Sequence, residues 1–330
     1  MILVIGEALI DMIEDRAELG SFKAIVGGAN ANVAIALARR GTKHQFLGRL
    51  SKDRFGQIIR KKLTDNHVAF DYSIDATEQT TLVTVSIDAV GKPSYTFYVE
   101  GTADWNWTPA ELPSDTDLEN LHATAIQFGC LTMAIEPGNL VIEDWAREHF
   151  KQNSVTISHD INIRPALGFE ANHERARVER LNEISHLIKA SDEDIEWLYG
   201  LQPGASVDEI VWQWIGQTGR QVFVTRGGDG VSIYRIDSSG NRSKLAVAAQ
   251  KIEVVDTVGA GDTFCANLIG QLSDLEALGA DPFDRLQNLS DETLMEITRV
   301  ASVAAAIACQ RAGAEPPTLA DLQAALATIP

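Results

Sequence analysis

Residues 251–272, KIEVVDTVGAGDTFCANLIGQL, read as a strand, a glycine-rich turn and a helix whose buried side carries Phe264, Leu268, Ile269 and Leu272. Gly259, Ala260 and Gly261 offer backbone N–H groups at the start of that helix with almost no side chain to obstruct approach, as an anion hole requires. Asp262 follows where an oxyanion would sit. A carboxylate there can accept the proton of a hydroxyl while the adjacent N–H groups stabilise charge on a phosphoryl group moving to that hydroxyl. The same Gly-x-Gly-Asp string could instead cap a helix after a tight turn. In DINIRP, Asp160, Asn162 and Arg164 alternate at the end of a strand and so point one way along it, which suits a ligand edge in a doubly wound sheet. A surface turn before Pro165 is the other reading. Two nucleotide motifs fail on spacing: the dinucleotide fingerprint needs a glycine where Phe264 stands, and a P-loop needs Gly-Lys-Ser/Thr, which the chain lacks.

These residues need a frame to hold them. The 330 residues are 45% hydrophobic and 22% charged, enough for one large α/β domain or two smaller ones, and exclude disordered, collagenous and small disulfide-stapled classes. The 28 Lys and Arg against 46 Asp and Glu leave a formal charge of −18, which repels nucleic acid and anionic membranes. An anionic ligand must then be met by a few placed Arg residues, backbone N–H groups and a metal ion. Cys130, Cys265 and Cys309 are odd in number and widely spaced, which argues for the reducing cytoplasm over a disulfide framework or a zinc site. The N-terminal residues lack the basic leader of a secretory signal, and no apolar run approaches a membrane span.

Met1 to Ile5 reads as a central strand buried on both faces, and a Gly27-Gly28 turn feeds a helix that ends at Arg39, Arg40 and Gly41. Thr81, Val83, Val85 and Ile87 alternate, turn near Gly91 and Pro93, and return through Tyr95, Phe97 and Val99 as a hairpin. After residue 120 strands (ATAIQFGCL, SVTISHDI, ISHLIKAS, QVFVTRG, VSIYRI) alternate with helices, the rhythm of a parallel sheet. One α/β domain over 1–330, with a small β appendage from segments 8–25 and 80–103, is the simplest account.

DTVGAGD (Asp256 to Asp262) resembles the C-terminal signature of the PfkB, or ribokinase-like, carbohydrate kinases, and VGGANANVAIALARRG (Val26 to Gly41) resembles their N-terminal one. The resemblance covers nearly the whole chain. It implies a ribokinase-like three-layer α/β fold with a mostly parallel central sheet and a small β-sheet lid. It also implies ATP as phosphoryl donor, Mg²⁺ bridging the phosphates, and a sugar hydroxyl as acceptor. Asp262 is then the base, with Gly259, Ala260 and Gly261 as the anion hole. Asp11, which alone would read as a strand-end Asp in a turn, matches the acidic residue that binds sugar hydroxyls, and Gly27, Gly28 and Asn32 line the same pocket. Gly48, Asp53 and Gly56 match a motif that reads as mainly structural. Asn162 and Arg164 fall by the phosphates. Thr225, Gly227 and Gly230 match the nucleotide turn, which could equally be a hairpin turn, with Arg226 as an extra cation. Ser302 and Arg311 to Ala314 correspond to the segment that closes over adenine. For metal, the family's Asn-x-x-Glu element falls on Ser191 to Asp194 with Asp194 in place of Glu, and Asp160 joins it as a candidate. Asp256 and carbonyls near Gly313 resemble a K⁺ site.

The overall pattern looks most like bacterial fructokinases, so fructose is the expected sugar. Many relatives have an Arg where FYVEGTADW offers Val99, which leaves Glu100, Trp105 or Trp107 to supply that contact. A 2-keto-3-deoxygluconate kinase is the alternative, with Arg16, Lys23 or Arg49 meeting the substrate carboxylate; ribokinases and nucleoside kinases share the signatures, and a sugar or nucleotide sensor without turnover is a reading of another class. A homodimer could form through the lid, on an exposed apolar face of Tyr95, Phe97 and Val99.

Overall fold

The computed structural model of the chain describes residues 1–328 apart from 16, 19 and 88–92, so the expected turn at Gly91 and the candidate cation Arg16 lie outside the described residues. In β1 (Ile2–Ile5), Ile2 and Val4 pack into one apolar cluster and Leu3 and Ile5 into another, all fully buried. The strand therefore has a layer on each side. The chain continues through β2 (Leu9–Glu14), β3 (Phe22–Gly27), α1 (Ala29–Arg40), β4 (His44–Leu47), β5 (Arg49–Ser51), α2 (Arg54–Asp65) and β6 (Ile74–Ala76). Next come the antiparallel pair β7 (Leu82–Ile87) and β8 (Pro93–Tyr98), and α3 (Asp115–Asn120). Strands and helices then alternate: β9 (Ala125–Gly129), α4 (Gly138–Gln152), β10 (Thr156–Asp160), α5 (Ala171–Glu183), β11 (Leu187–Ser191), α6 (Asp192–Tyr199), α7 (Asp208–Ile215) and β12 (Gln221–Thr225). The antiparallel β13 (Val231–Ile236) and β14 (Arg242–Val247) precede α8 (Ala260–Asp274), α9 (Pro282–Gln287), α10 (Asp291–Cys309) and α11 (Leu319–Leu326).

Eight strands form one sheet in the order β14-β13-β12-β11-β10-β9-β1-β4, parallel from β4 to β12. Residues of α1, α8 and α10 build the apolar cluster on one face, and residues of α4 to α7 build those on the other, which is the three-layer arrangement expected. Gly41 ends α1 in the left-handed conformation, as its position after two arginines suggests. One expected strand is absent. Residues 251–256 form no ladder; Val254 and Val255 are 57% and 62% exposed, and the backbone N–H groups of Val255 and Asp256 donate to the Cys309 carbonyl. The apolar run there lies on the surface, and β14 ends the sheet instead.

A second sheet, β3-β2-β7-β8, stands on the rim of the first. Leu9, Val83 and Val85 line one face of it, with Phe97 and Val99 packed half-buried against the same cluster and against Trp105 and Leu131 of the main body. The expected exposed apolar face thus splits. Phe97, paired with Val83, and Val99, just past the strand, pack inward, whereas Tyr95, paired with Val85, is 45% exposed and Tyr98 56%.

The structural motif around Asp53 anchors this sheet. Asp53 caps α2 by accepting from Gly56 N at 2.8 Å, and it also accepts from Thr80 N at 2.8 Å and Thr80 Oγ1 at 2.7 Å, just ahead of β7. Asp53→Ala removes the cap and leaves Thr80 short of partners, so it should destabilise the chain by about 1–2 kcal/mol, read as a shift of the urea midpoint. A midpoint unchanged within error would show that the cap contributes nothing.

Candidate active site

The parallel strands end along one edge, where Gly6 and Glu7 follow β1, Gly129 and Cys130 lie at β9, and three residues singled out by type, Asp160, Ser191 and Thr225, close β10, β11 and β12. This is where an open α/β sheet presents its ligand crevice. Asp262 reaches it from the first turn of α8.

Asp262 is 6% exposed and makes no cap to its own helix. Asn32 Nδ2, on α1, donates to one carboxylate oxygen at 2.8 Å, and Asn162 Nδ2 approaches the other at 3.4 Å. The capping alternative is thereby answered: the carboxylate is held by side chains from two other elements. Burial raises its pKa, while the Asn32 hydrogen bond and the charges of Arg164 and Lys189 pull it back. Arg164 Nη1 donates to Asn162 Oδ1 at 2.6 Å and to the Ile163 carbonyl at 3.1 Å. Asp11 lies in the middle of β2 rather than in a turn, and its carboxyl is pushed up to about 6 by burial, with Arg164 acting against the rise. A Cβ on Gly27 would lie 2.2 Å from Asp11 Oδ2. That glycine is the room in which the carboxylate sits. Asp11, Gly27, Asn32, Asn162, Arg164 and Asp262 are therefore one cluster, with Gly28 preceding α1 at its edge.

Asp160 departs from this arrangement. Asn162 has φ of +42°, which breaks the alternation expected along DINIRP, and Asp160 turns down to Lys189 Nζ at 3.0 and 3.2 Å. Sequence reasoning passed over Lys189 as a strand residue of LIKAS, although a lysine in an apolar central strand is itself a signal. Burial pulls its ammonium down, and the carboxylates of Asp160 and Asp194 outweigh that, leaving it above its ordinary value. A Cβ on Gly261 would stand 2.9 Å from Lys189 Nζ, so the buried cation lies directly under the turn that begins α8.

The other metal candidates are also engaged. Asp194 accepts from Ile163 N and Ser191 N, each at 2.9 Å, as the reciprocal cap of α6, and Asp256 accepts from Val258 N at 3.0 Å and Gly313 N at 2.8 Å. Among the described residues no group of three or more His, Cys, Asp or Glu side chains is placed to hold a metal. Asp256 instead ties the Gly259–Gly261 loop to Arg311–Ala314, and Gly259 nearly touches Ala314. Thr225 ends β12, and Gly227 and Gly230 form the turn into antiparallel β13, so the hairpin reading holds for the backbone. Arg226 turns back onto Ser232, Tyr234 and Asp192, away from its expected place as a free cation. Ser302 donates to the Thr298 carbonyl within α10.

Of the five described side chains offered for sugar contacts, three are committed within the chain and two are exposed. Trp105 and Trp107 are each 2% exposed and packed in apolar clusters, so neither presents a face to a ligand. Glu100 is exposed. Lys23 is exposed on β3, and Arg49 is spent on the Ala103 carbonyl, Glu78 and Glu111. The structure adds Glu7, fully buried, which accepts from Ala29 N, Asn30 Nδ2 and both the N–H and hydroxyl of Thr132.

The model of the pfkB family carbohydrate kinases matches residues 1–321. The chain belongs to that family. As a member it is a phosphotransferase acting on a sugar hydroxyl. It is 35% identical over 275 residues to a fructokinase of Rhizobium leguminosarum bv. trifolii, across 82% of this chain and 79% of that protein. Among solved structures it resembles a fructokinase of Xylella fastidiosa (TM-score 0.84, 25% identity, 99% and 98% of the two chains). A double mutant of the Vibrio cholerae fructokinase, solved with fructose, ADP and potassium, superposes with a TM-score of 0.77 at 25% identity over 100% and 98% of the chains. No helix among the described residues is long and apolar enough to cross a membrane.

Lys189→Met leaves Asp160 as an uncompensated buried carboxylate and should cost about 3–5 kcal/mol of stability. Adding Asp160→Asn should restore much of that loss in denaturant titrations; additive losses would show that the two groups are not coupled.

Proposed function

We propose that this kinase is a fructokinase, moving the γ-phosphoryl group of ATP to a hydroxyl of fructose. The carrying observation is Asp262, buried, oriented by Asn32 and Asn162, and followed across the cluster by Asp11. In this reading Asp11 accepts a sugar hydroxyl and sets the sugar's orientation. Asp262 accepts the proton of the reacting hydroxyl as the new O–P bond forms and the bond from γ-phosphorus to ADP breaks. Little deprotonation is needed early in a loose transition state, so a carboxylate at a helix N-terminus can orient the nucleophile as well as receive its proton. Backbone N–H groups of Gly259 and Gly261 meet the charge on the transferring group, with Arg164 acting from beside Asp262; the Ala260 N–H, expected to join them, is instead donated to the Thr257 carbonyl at 3.2 Å. Thr225, Gly227, Gly230 and Ser302 line the nucleotide side.

The side chains nominated for Mg²⁺ and K⁺ do not fit a direct protein cage, since Asp160, Asp194 and Asp256 are each bonded within the chain. Fructose is favoured by the relatives named fructokinase. A keto-acid substrate would need a cation in the pocket; of the two described candidates Lys23 is exposed and Arg49 already paired, which leaves Arg164 as the cation of the cluster. The small sheet that carries Asp11 serves as a lid that keeps water from the phosphoryl group. Its open edges β3 and β8, with Phe22, Tyr95 and Tyr98 exposed, suit pairing of two copies. Three free cysteines suit the cytoplasm.

The test is coupled ADP release from ATP with fructose, ribose, 2-keto-3-deoxygluconate and nucleosides. Fructose should be turned over selectively, and Asp262→Asn should lower kcat by about 10²–10⁴-fold. Unaltered turnover in that variant would sink the assignment of the base, and silence with every sugar despite nucleotide binding would favour a sensor.

A further inference from the structure

Asp104 lies in the 3₁₀ turn Ala103–Trp105 that follows β8, and it is 1% exposed. Its carboxyl group meets the roots of the small sheet. Oδ1 accepts from Ala8 N at 3.0 Å, one residue ahead of β2, and Oδ2 is 2.6 Å from Thr81 Oγ1, one residue ahead of β7. Thr81 Oγ1 is in turn 2.6 Å from Thr102 Oγ1, which lies 2.9 Å from the Val99 carbonyl just past β8. These last three oxygen–oxygen contacts need three protons. The two threonine hydroxyls supply two. With an ionised Asp104, the Thr81 proton goes to the carboxylate, and the single Thr102 proton must choose between Thr81 and Val99. With a proton on Oδ2, each contact has its donor, running Asp104 to Thr81 to Thr102 to the Val99 carbonyl.

We propose that Asp104 carries its proton and, as a neutral acid, latches the roots of β2, β7 and β8, so that the small sheet closes with uptake of one proton from solvent and releases it on opening. This makes Asp104 a positioning residue for Asp11, three residues beyond the Ala8 amide it holds. The inference rests on reading the small sheet as a lid.

The surroundings favour the neutral acid. Burial pushes the Asp104 carboxyl up to about 7 against the hydrogen bonds from Thr81 and Ala8, and the neighbouring Glu7 carboxylate adds to the rise. The other charged groups close by are committed elsewhere: Arg49 on β5 donates to the Ala103 carbonyl and pairs with Glu78 and Glu111, and Asp53 at the start of α2 holds Thr80. The sign follows from linkage. A carboxyl that titrates near 7 when latched and near its ordinary 3.8 when hydrated makes opening easier by up to about tenfold per pH unit between about 4 and 7, with a plateau above.

Hydrogen exchange on the full chain reads this without any sugar. Amides of β2 and β7, corrected for intrinsic rates, should lose protection relative to β1, β9 and β10 by up to about tenfold per pH unit from pH 5 to 7. Asp104→Asn places an amide N–H₂ where the acid has its O–H and keeps an acceptor for Ala8, so it should hold the latch at every pH and abolish the slope. Asp104→Ala should lose at least about tenfold in protection at every pH, and Thr81→Val, which breaks the relay without touching a charge, should do the same. Asp104→Asn as loose as Asp104→Ala, protection in wild type that rises or stays level with pH, or equal loss in the central strands would each overturn the proposal. If fructose is turned over, the ratio of the wild-type KM to that of Asp104→Asn should rise between pH 5 and 7, titration of Asp11 near 6 being common to both; absence of turnover would count against the kinase substrate and leave the exchange result standing.

Discussion

A carboxylate taken out of water must be bonded, paired with a cation or protonated, since the bare buried charge costs more than a fold can spare. This chain carries an excess of 18 negative charges and still places Glu7, Asp11, Asp104, Asp160 and Asp262 along one rim of its sheet. Each meets the constraint differently. Glu7 gathers backbone and side-chain donors from the start of α1 and from Thr132, Asp160 takes Lys189, and Asp262 takes two asparagines from separate elements. Asp11 remains half-buried. The positions of these partners decide where the chain crosses between the sheets and which loops can approach one another.

That constraint also explains what was legible in the residues beforehand. Met1 to Ile5, the helix after Gly28 and the Ala-rich helix near the C-terminus declare themselves because apolar periodicity and glycine stops are local properties. Asp262 and Asn32 declare themselves through the two signatures, and the structure brings them to 2.8 Å across 230 residues of chain. Lys189 and Glu7 carry no such label, because their meaning comes from what lies on neighbouring strands. The apolar residues at 251–256 resemble a strand locally, yet the chain is already past the last strand of the sheet and a ladder partner is lacking there. Trp105 and Trp107 could have faced a ligand by composition; the place of Trp105 beneath the small sheet and of Trp107 against the main sheet is a tertiary fact. Asn162 shows the same limit on a smaller scale: its positive φ breaks the alternation of DINIRP, while Asp160 meets Lys189, its partner in the β10–β11 register.

The handling of positive charge around Asp262 bears on its chemistry. A lysine or arginine bonded straight to that carboxylate would hold it ionised but would also weaken its claim on a proton. Here the two groups that touch it are neutral amides, which fix direction, and the cations stand one step away: Arg164 bonds the oxygen of Asn162, and Lys189 bonds Asp160 beneath Gly261. At that remove they counter part of the effect of burial on Asp262 and, in the proposed mechanism, meet the charge that develops on a transferring group at the start of α8. Gly261 is where the two requirements meet. A side chain there would strike the ammonium below, so the bare backbone is what lets the cation approach the turn from within, and in the proposed mechanism the same bareness admits a phosphoryl group from above.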